Sequence, residues 1–220
     1  MKTKLKLLAL LCAFSINAGA AAKADSGIQG ELGIGYTSDY YFRGEKITGE
    51  STQLKAKLST DVSVADAFAC ALVNQGLQST DSYLFAVGLA NSYIDGKIDT
   101  KLGWLHREDT PGAATSELFL SVGIDTILDP SITISQDVDD SLTTAELSLS
   151  HTIDLDVADL TLSGDAGSTE TLTEDRDYYG AGASLSRSFG GLLANVGVEY
   201  VDAENIDSET VFSAGVSVKF

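Results

Sequence analysis

His106 and Ser116, an imidazole and a hydroxyl on either side of a single loop, have the types that nucleophilic chemistry needs. In an alternating chain both fall on the same face, which permits a base to activate a nucleophile. The context argues against that use. No glycine-rich turn surrounds Ser116, no Asn or Asp is placed on that face to orient the imidazole, and His151 lies near the opposite end of its strand. The expectation is therefore no catalytic residue and no enzyme.

A second set carries charge rather than reactivity. Glu31, Lys55, Lys57, Lys101, Glu117, Glu146 and Glu199 occupy alternate positions in stretches whose other positions are apolar. Charges of both signs on one enclosed side either pair with each other or line a hydrated path. Lys55, Lys57 and Lys101 thus form a basic step along a wall, or each meets a carboxylate across it, and the sequence leaves both open. Acidic side chains also gather between the alternating stretches: Asp137, Asp139 and Asp140; Glu170, Glu174, Asp175 and Asp177; Asp202, Glu204, Asp207 and Glu209. These are solvated loops or collectors of divalent cations bridging to lipopolysaccharide phosphates. Asp137-Val-Asp-Asp140 lacks the Gly and the terminal Glu of an EF-hand loop, so no metal centre is expected, and no cofactor.

The elements that must position these residues are strands. The last eleven residues alternate, with Phe212, Ala214, Val216, Val218 and Phe220 on one face and Ser213, Gly215, Ser217 and Lys219 on the other. An apolar face running to the final residue fits a strand that lies against lipid and closes a barrel. Phe212, Val216, Val218 and Phe220 resemble the terminal signal read by the barrel-assembly machinery. Similar alternation recurs from Ile28 onward, giving about twelve strands joined by alternating short and long connections, the pattern of an outer-membrane barrel. Asp95-Gly96 marks a tight hairpin turn. Ser38–Ser51 and Gly164–Asp177 are expected as longer connections. In Ala67–Asn74 both faces are apolar, and Phe68, Cys70 and Leu72 are taken as the outward set. Phe68, Tyr93, Phe189 and Phe220 fall near short turns, whereas Tyr36, Tyr83, Trp104, Tyr179, Tyr200 and Phe212 fall near long loops, as two interfacial girdles would.

Lys2, Lys4 and Lys6 precede an apolar run from Leu7 to Ile16 and then small residues, which reads as a signal peptide over 1–22 with a barrel domain over 23–220. The formal charge is −18, and removing 1–22 takes away three lysines and no acid, leaving −21. So acidic a chain does not attract nucleic acid. Past residue 22 the one cysteine is Cys70, so no internal disulfide is expected there.

Ser38-Asp-Tyr-Tyr-Phe-Arg-Gly-Glu-Lys-Ile-Thr48 resembles the S-x-Y-x-x-R-G-x-S-x-T segment of the Gcw_chp conserved-hypothetical proteobacterial family, the TorF-type porins. Ser38, Tyr40, Arg43, Gly44 and Thr48 match, and Lys46 stands where the family has Ser. The resemblance implies a porin. From the residues, Arg43 either pins the loop, with Gly44 bending it and Tyr40 to Phe42 anchoring the rim, or contacts passing solute.

The combined expectation is all-β: a closed antiparallel up-and-down transmembrane barrel of about twelve strands in the bacterial outer membrane. Its lumen exceeds what side chains fill at ~8 strands and falls short of wide porins at 16–18, so a narrow diffusion channel for small solutes or ions follows. Arg43, Lys55, Lys57, Lys101, Glu31, Glu117, Glu146 and Glu199 would line it. Expected partners are outer-membrane lipid and lipopolysaccharide, with the assembly machinery and periplasmic chaperones during biogenesis. The alternatives are a non-conducting structural or adhesive barrel with acidic loops and, more remotely, an outer-membrane lipid hydrolase using His106 and Ser116.

Overall fold

The structure, a computed structural model, describes residues 27–77, 80–112, 114–172, 175–204 and 206–220; the expected signal peptide and Glu174 lie outside the described residues. Among the described residues fourteen strands follow one another: β1 (Gln29–Thr37), β2 (Tyr40–Phe42), β3 (Glu45–Thr48), β4 (Ser51–Asp61), β5 (Asp66–Gly76), β6 (Asp81–Tyr93), β7 (Ile98–Thr110), β8 (Ala114–Ile124), β9 (Ser131–Asp137), β10 (Thr143–Asp154), β11 (Asp159–Thr169), β12 (Arg176–Phe189), β13 (Leu192–Ala203) and β14 (Glu209–Lys219). Twelve of them form one closed antiparallel barrel in which each strand pairs with its sequence neighbours, β4 following β1 directly. The seam runs between β1 and β14, with Leu32 opposite Val218 and Tyr36 opposite Ala214. Phe220 completes it: its N–H donates to the Gly30 carbonyl (3.0 Å) and its carbonyl accepts from the Gly30 N–H (2.8 Å). A side chain on Gly30 would run into the Phe220 ring.

Closure fits a sheet whose outer face is apolar, because an open edge in hydrocarbon leaves backbone groups unpaired at several kcal/mol each. Leu32, Ile34, Leu54, Leu102, Leu118, Ile132, Val196 and Phe212 all stand exposed on the outside. Such a band far exceeds the apolar patches that soluble monomers tolerate. Among the described residues no helix is long and apolar enough to cross a membrane. Tyr93, Phe189 and Phe220 are exposed at the short-turn end, and Tyr36, Tyr179, Tyr200 and Phe212 at the other.

Three details differ from expectation. Phe68, Cys70 and Leu72 face inward, because the register sets Leu72 beside Lys55 and Leu84, Cys70 beside Lys57 and Ala86, and Phe68 beside Ser59 and Gly88. With both faces apolar, alternation carried no direction there, and Phe68 belongs to the interior, 6.5 Å from the Phe119 ring, rather than to a girdle. Strand β11 also runs to Thr169, past the boundary expected at Ser163. Its outward positions shrink to Gly164, Ala166 and Ser168, so the apolar signal fades while the ladder to β10 continues. Third, the connection 38–50 is a folded hairpin, β2–β3, that pairs with itself rather than with the barrel.

That hairpin accounts for the location of the core. Tyr40 and Phe42 are 3% and 6% exposed and pack on Cys70, Leu72, Leu84, Ala86 and Leu105, every one an inward residue of β5, β6 or β7. The barrel therefore has a hydrophobic core inside its lumen, filling the sector beside β5–β7.

Candidate functional site: a lumen narrowed by an inward hairpin

The hairpin turns at Arg43-Gly44, both with positive φ (52° and 71°), as a tight hairpin turn requires. Gly adopts this freely, whereas Arg sits there at a cost of order 1–2 kcal/mol. Gly44 is fixed by space as well, since a Cβ there would meet Ala203 at 2.6 Å and Tyr178 at 2.7 Å. The tip is therefore seated against β12 and β13, having crossed the lumen from β4.

What offsets the strained arginine is its guanidinium. Arg43 Nη1 donates to both Glu117 carboxylate oxygens (2.6 and 2.7 Å) and to Thr144 Oγ1 (3.3 Å), and Nη2 donates to Ser135 Oγ (2.8 Å). These three partners stand inward on β10, β9 and β8, and the ion pair is nearly buried, with side chains 13% and 9% exposed. Charge-assisted contacts of this kind are the strong class of hydrogen bond. Phe42 lies between two guanidinium groups, Arg43 and Arg107, each 4.8 Å from its ring. Glu45 reaches Arg107 (3.4 Å) and Arg176 (3.7 Å), which ties β3 to β7 and β12. At the base of the hairpin Lys46 meets Asp39 and Glu209, each at 2.8 Å. Its hydrogen bonds, first to Asp39 and then to Glu209, hold its ammonium above the ordinary lysine value.

Below the hairpin the walls differ. Around β12, β13, β14 and β1 the inward positions are mostly Gly and Ser, among them Gly182, Gly197, Ser213, Gly215, Ser217 and Gly33. Small residues there leave space that the apolar sector does not. Lys55 and Lys57 stand on β4, Lys57 opposite Glu31, which in turn faces Lys219. Neither Lys55 nor Lys57 forms an ion pair among the described residues, and Lys101 stands inward beside Ser121 and Ala90. On the far side Glu146 accepts from the Tyr178 hydroxyl (2.7 Å), and Glu199 stands opposite Gly182 and Val211. Glu31, Lys55, Lys57, Lys101, Glu117, Glu146 and Glu199 thus sit at inward register positions, and Arg43, at the hairpin tip, is joined to Glu117, while among the described residues Lys55 and Lys57 form no ion pair. Sequence reasoning missed Arg107, Glu45, Tyr178 and Asp165, the last placed in an expected loop. Arg107 shares the parity of Lys101 and was readable from it.

On the outer face His106 Nδ1 and Ser116 Oγ lie 2.9 Å apart, and Trp104 stacks on the imidazole at 5.6 Å. Among the described residues no carboxylate or amide engages the ring, so the pair lacks the orienting member that activates a serine.

This architecture, a closed twelve-stranded antiparallel barrel, is the fold of outer-membrane channel proteins. The KdgM porin shares it with a TM-score of 0.61 at 9% identity over 86% of this chain and 99% of that one. The NanC porin does so at 0.59 and 12% identity over 87% and 100%, and the COG4313 outer membrane channel from Pseudomonas putida F1 at 0.60 and 9% over 94% and 100%. No family model and no curated protein sequence matches the chain, so the resemblance at Ser38–Thr48 stands on that segment alone.

Proposed function

We propose that this chain is an outer-membrane channel that passes small solutes by diffusion through a lumen narrowed by its own β2–β3 hairpin. The observation that carries the reading is the unequal filling of the interior: an apolar sector packed under Tyr40 and Phe42, against a wall of Gly and Ser with charged residues facing it. Hydrophobic packing alone would have continued round the ring in a barrel built only as a solid anchor. The likeness in fold to porins and to an outer-membrane channel supports it. The terminal strand, with Phe212, Val216 and Phe220 on its outward face, supports assembly into the outer membrane.

The test is planar-bilayer recording with purified, heat-modifiable barrel. Small, reproducible conductance steps are expected. A hairpin that reaches from β4 to β8, β9 and β10 also fits a second reading, a non-conducting structural barrel, and a silent bilayer despite verified folding would select it and overturn the channel.

A further inference from the structure

Below the hairpin, the lysines of β4 and the carboxylates of β10, β11 and β13 stand on opposite walls of the lumen. Lys55 and Lys57 stand inward on β4, and Glu146 stands inward on β10, which is six strands away in either direction round the ring of twelve. Asp165 follows on β11, beside Ser148 and Gly180, and Glu199 on β13. Each group is local: Lys57 lies within electrostatic reach of Lys55 and Lys101, and Asp165 within reach of Glu146 and Glu199. Among the described residues neither Lys55 nor Lys57 makes an ion pair, and Glu146, Asp165 and Glu199 meet no cation within 4 Å, in contrast to Arg43, Arg107 and Lys46, which are all paired. Local relief is partial. Glu31 sits between Lys57 and Lys219 in the register, which leaves that triad net positive, Asp99 lies beside Lys101 on β7, and among the described residues Glu146 has only the neutral Tyr178 and Ser148 hydroxyls as donors.

The one guanidinium seated on the strands of the acidic wall below the rim, among the described residues, is that of Arg43, and Glu117 matches its charge. From β8 to β13, no inward position below the rim carries Lys or Arg. The hairpin tip seats on Thr144, Tyr178 and Ala203, so Glu146 and Glu199 lie one and two inward positions beneath it. Lys55, beside Leu72 of the apolar cluster, lies under the hairpin on the other side. A solute slipping past the hairpin enters a transverse field, positive toward β4 and negative toward β10–β13.

From this arrangement we infer that the lumen selects small zwitterions, solutes carrying an ammonium and a carboxylate a few bonds apart, an inference that rests on the channel reading above. A simple cation or anion satisfies one wall and is repelled by the other. A neutral solute satisfies neither, and both walls must then keep their water. A zwitterion turns its carboxylate to Lys55 and Lys57 and its ammonium to Glu146, Asp165 and Glu199, replacing water on both sides while remaining net neutral. Complementary charge placement of this kind confers specificity and speeds entry more than it tightens binding, which suits a diffusion path.

The experiment is swelling of proteoliposomes at about pH 8, where carboxylates are charged, with γ-aminobutyrate compared with erythritol, a neutral solute of similar size, after subtraction of protein-free liposomes. The wild-type chain should admit γ-aminobutyrate about threefold faster or more, the scale of one partly screened charge contact. Lys55→Gln with Lys57→Gln should bring the two rates to parity, and Glu146→Gln with Glu199→Gln should do the same, each read as the ratio of the γ-aminobutyrate rate to the erythritol rate of the same variant. Equal rates in the wild-type chain, or a preference that survives both double variants, would overturn the inference while leaving the channel standing. Swelling with neither solute would overturn the channel and the inference with it. The wild-type comparison decides the question even where a variant fails to fold.

Discussion

Arg43 is the residue on which the lumen's geometry turns, because it combines a left-handed backbone with a side chain that reaches three strands. Removing one partner of a nearly buried ion pair leaves the other without compensation. In a fully dry interior that costs ~3–5 kcal/mol, and a hydrated lumen reduces it. Arg43→Ala is expected to free the hairpin tip while the barrel remains closed, since no barrel ladder bond involves residue 43. The measurable outcomes are larger single-channel conductance and faster proteolysis between Tyr40 and Thr48. Arg43→Lys should fall between, as an ammonium keeps the charge but its single nitrogen cannot hold Glu117 and Ser135 together as Nη1 and Nη2 do. Unchanged conductance in Arg43→Ala would show that the tip does not limit the path. Lys46 acts at the hairpin base with a defined pH sense. Because its partners raise it above the ordinary value of 10.5, its contribution is complete below that value and is lost only as pH climbs past it into strongly alkaline solution. A Lys46→Gln variant should therefore differ from wild type by a constant amount from about pH 6 to about pH 9, read as conductance at each pH.

At the scale of elements, the β2–β3 hairpin and the closing strand β14 do different work. The tip of β2–β3 depends on Gly44, where Ala would bring both a disfavoured φ and contacts with Ala203 and Tyr178 well inside van der Waals distance. Gly44→Ala should unseat the hairpin at a cost of about 1–3 kcal/mol and give the conductance phenotype of Arg43→Ala, although Arg43 itself is intact. The closing strand β14 depends on its outer face. Val216→Asp or deletion of Phe220 should lower the yield of heat-modifiable barrel. Arg or Lys at a midplane position costs ~2–4 kcal/mol and Asp less, so Val216→Arg should be worse than Val216→Asp. Equal folded yield for all three would remove β14 from its assigned place. The strands were legible in the sequence wherever one face was apolar and the other polar, as in β4 with Leu54, Ala56 and Leu58 against Lys55 and Lys57. Legibility failed where that contrast vanished. The apolar inward face of β5 exists to receive Tyr40 and Phe42, so its direction depended on a hairpin 20 or more residues away that no local period announces. Part of the lining was visible for the same reason. Parity places Lys55 or Glu199 inward, but the partners of a side chain across a lumen depend on shear and on the hairpin, neither of which a period of two encodes.

On the proposed channel reading, the balance of charge over the whole molecule decides which ions the mouth gathers. The chain from residue 23 carries −21, and much of that sits at the long-loop end. The neighbours there rarely neutralise it: Asp202 accepts from the Tyr179 and Tyr200 hydroxyls, Asp137 from the backbone of Asp139 and Asp140, and Glu170 from the Thr143 N–H. Neutral donors fix carboxylates in place and leave their charge to the solvent. Glu209, paired with Lys46, is an exception. The rim therefore carries a negative potential that concentrates cations at the entrance, while Lys55, Lys57 and Lys101 oppose them further in. Bilayer recordings with a salt gradient should show cation preference at low salt. It should fade as the screening length falls from ~10 Å at 0.1 M to ~3 Å at 1 M, because the rim charges act through water. Replacing Lys55, Lys57 and Lys101 together with Gln should raise the preference and make it persist at high salt, since charges lining the narrow path act at a range shorter than the screening length. A reversal potential that ignores salt in the wild-type chain would place the selectivity in the lumen rather than at the rim. One unmoved by the triple substitution would place those lysines off the conducting path.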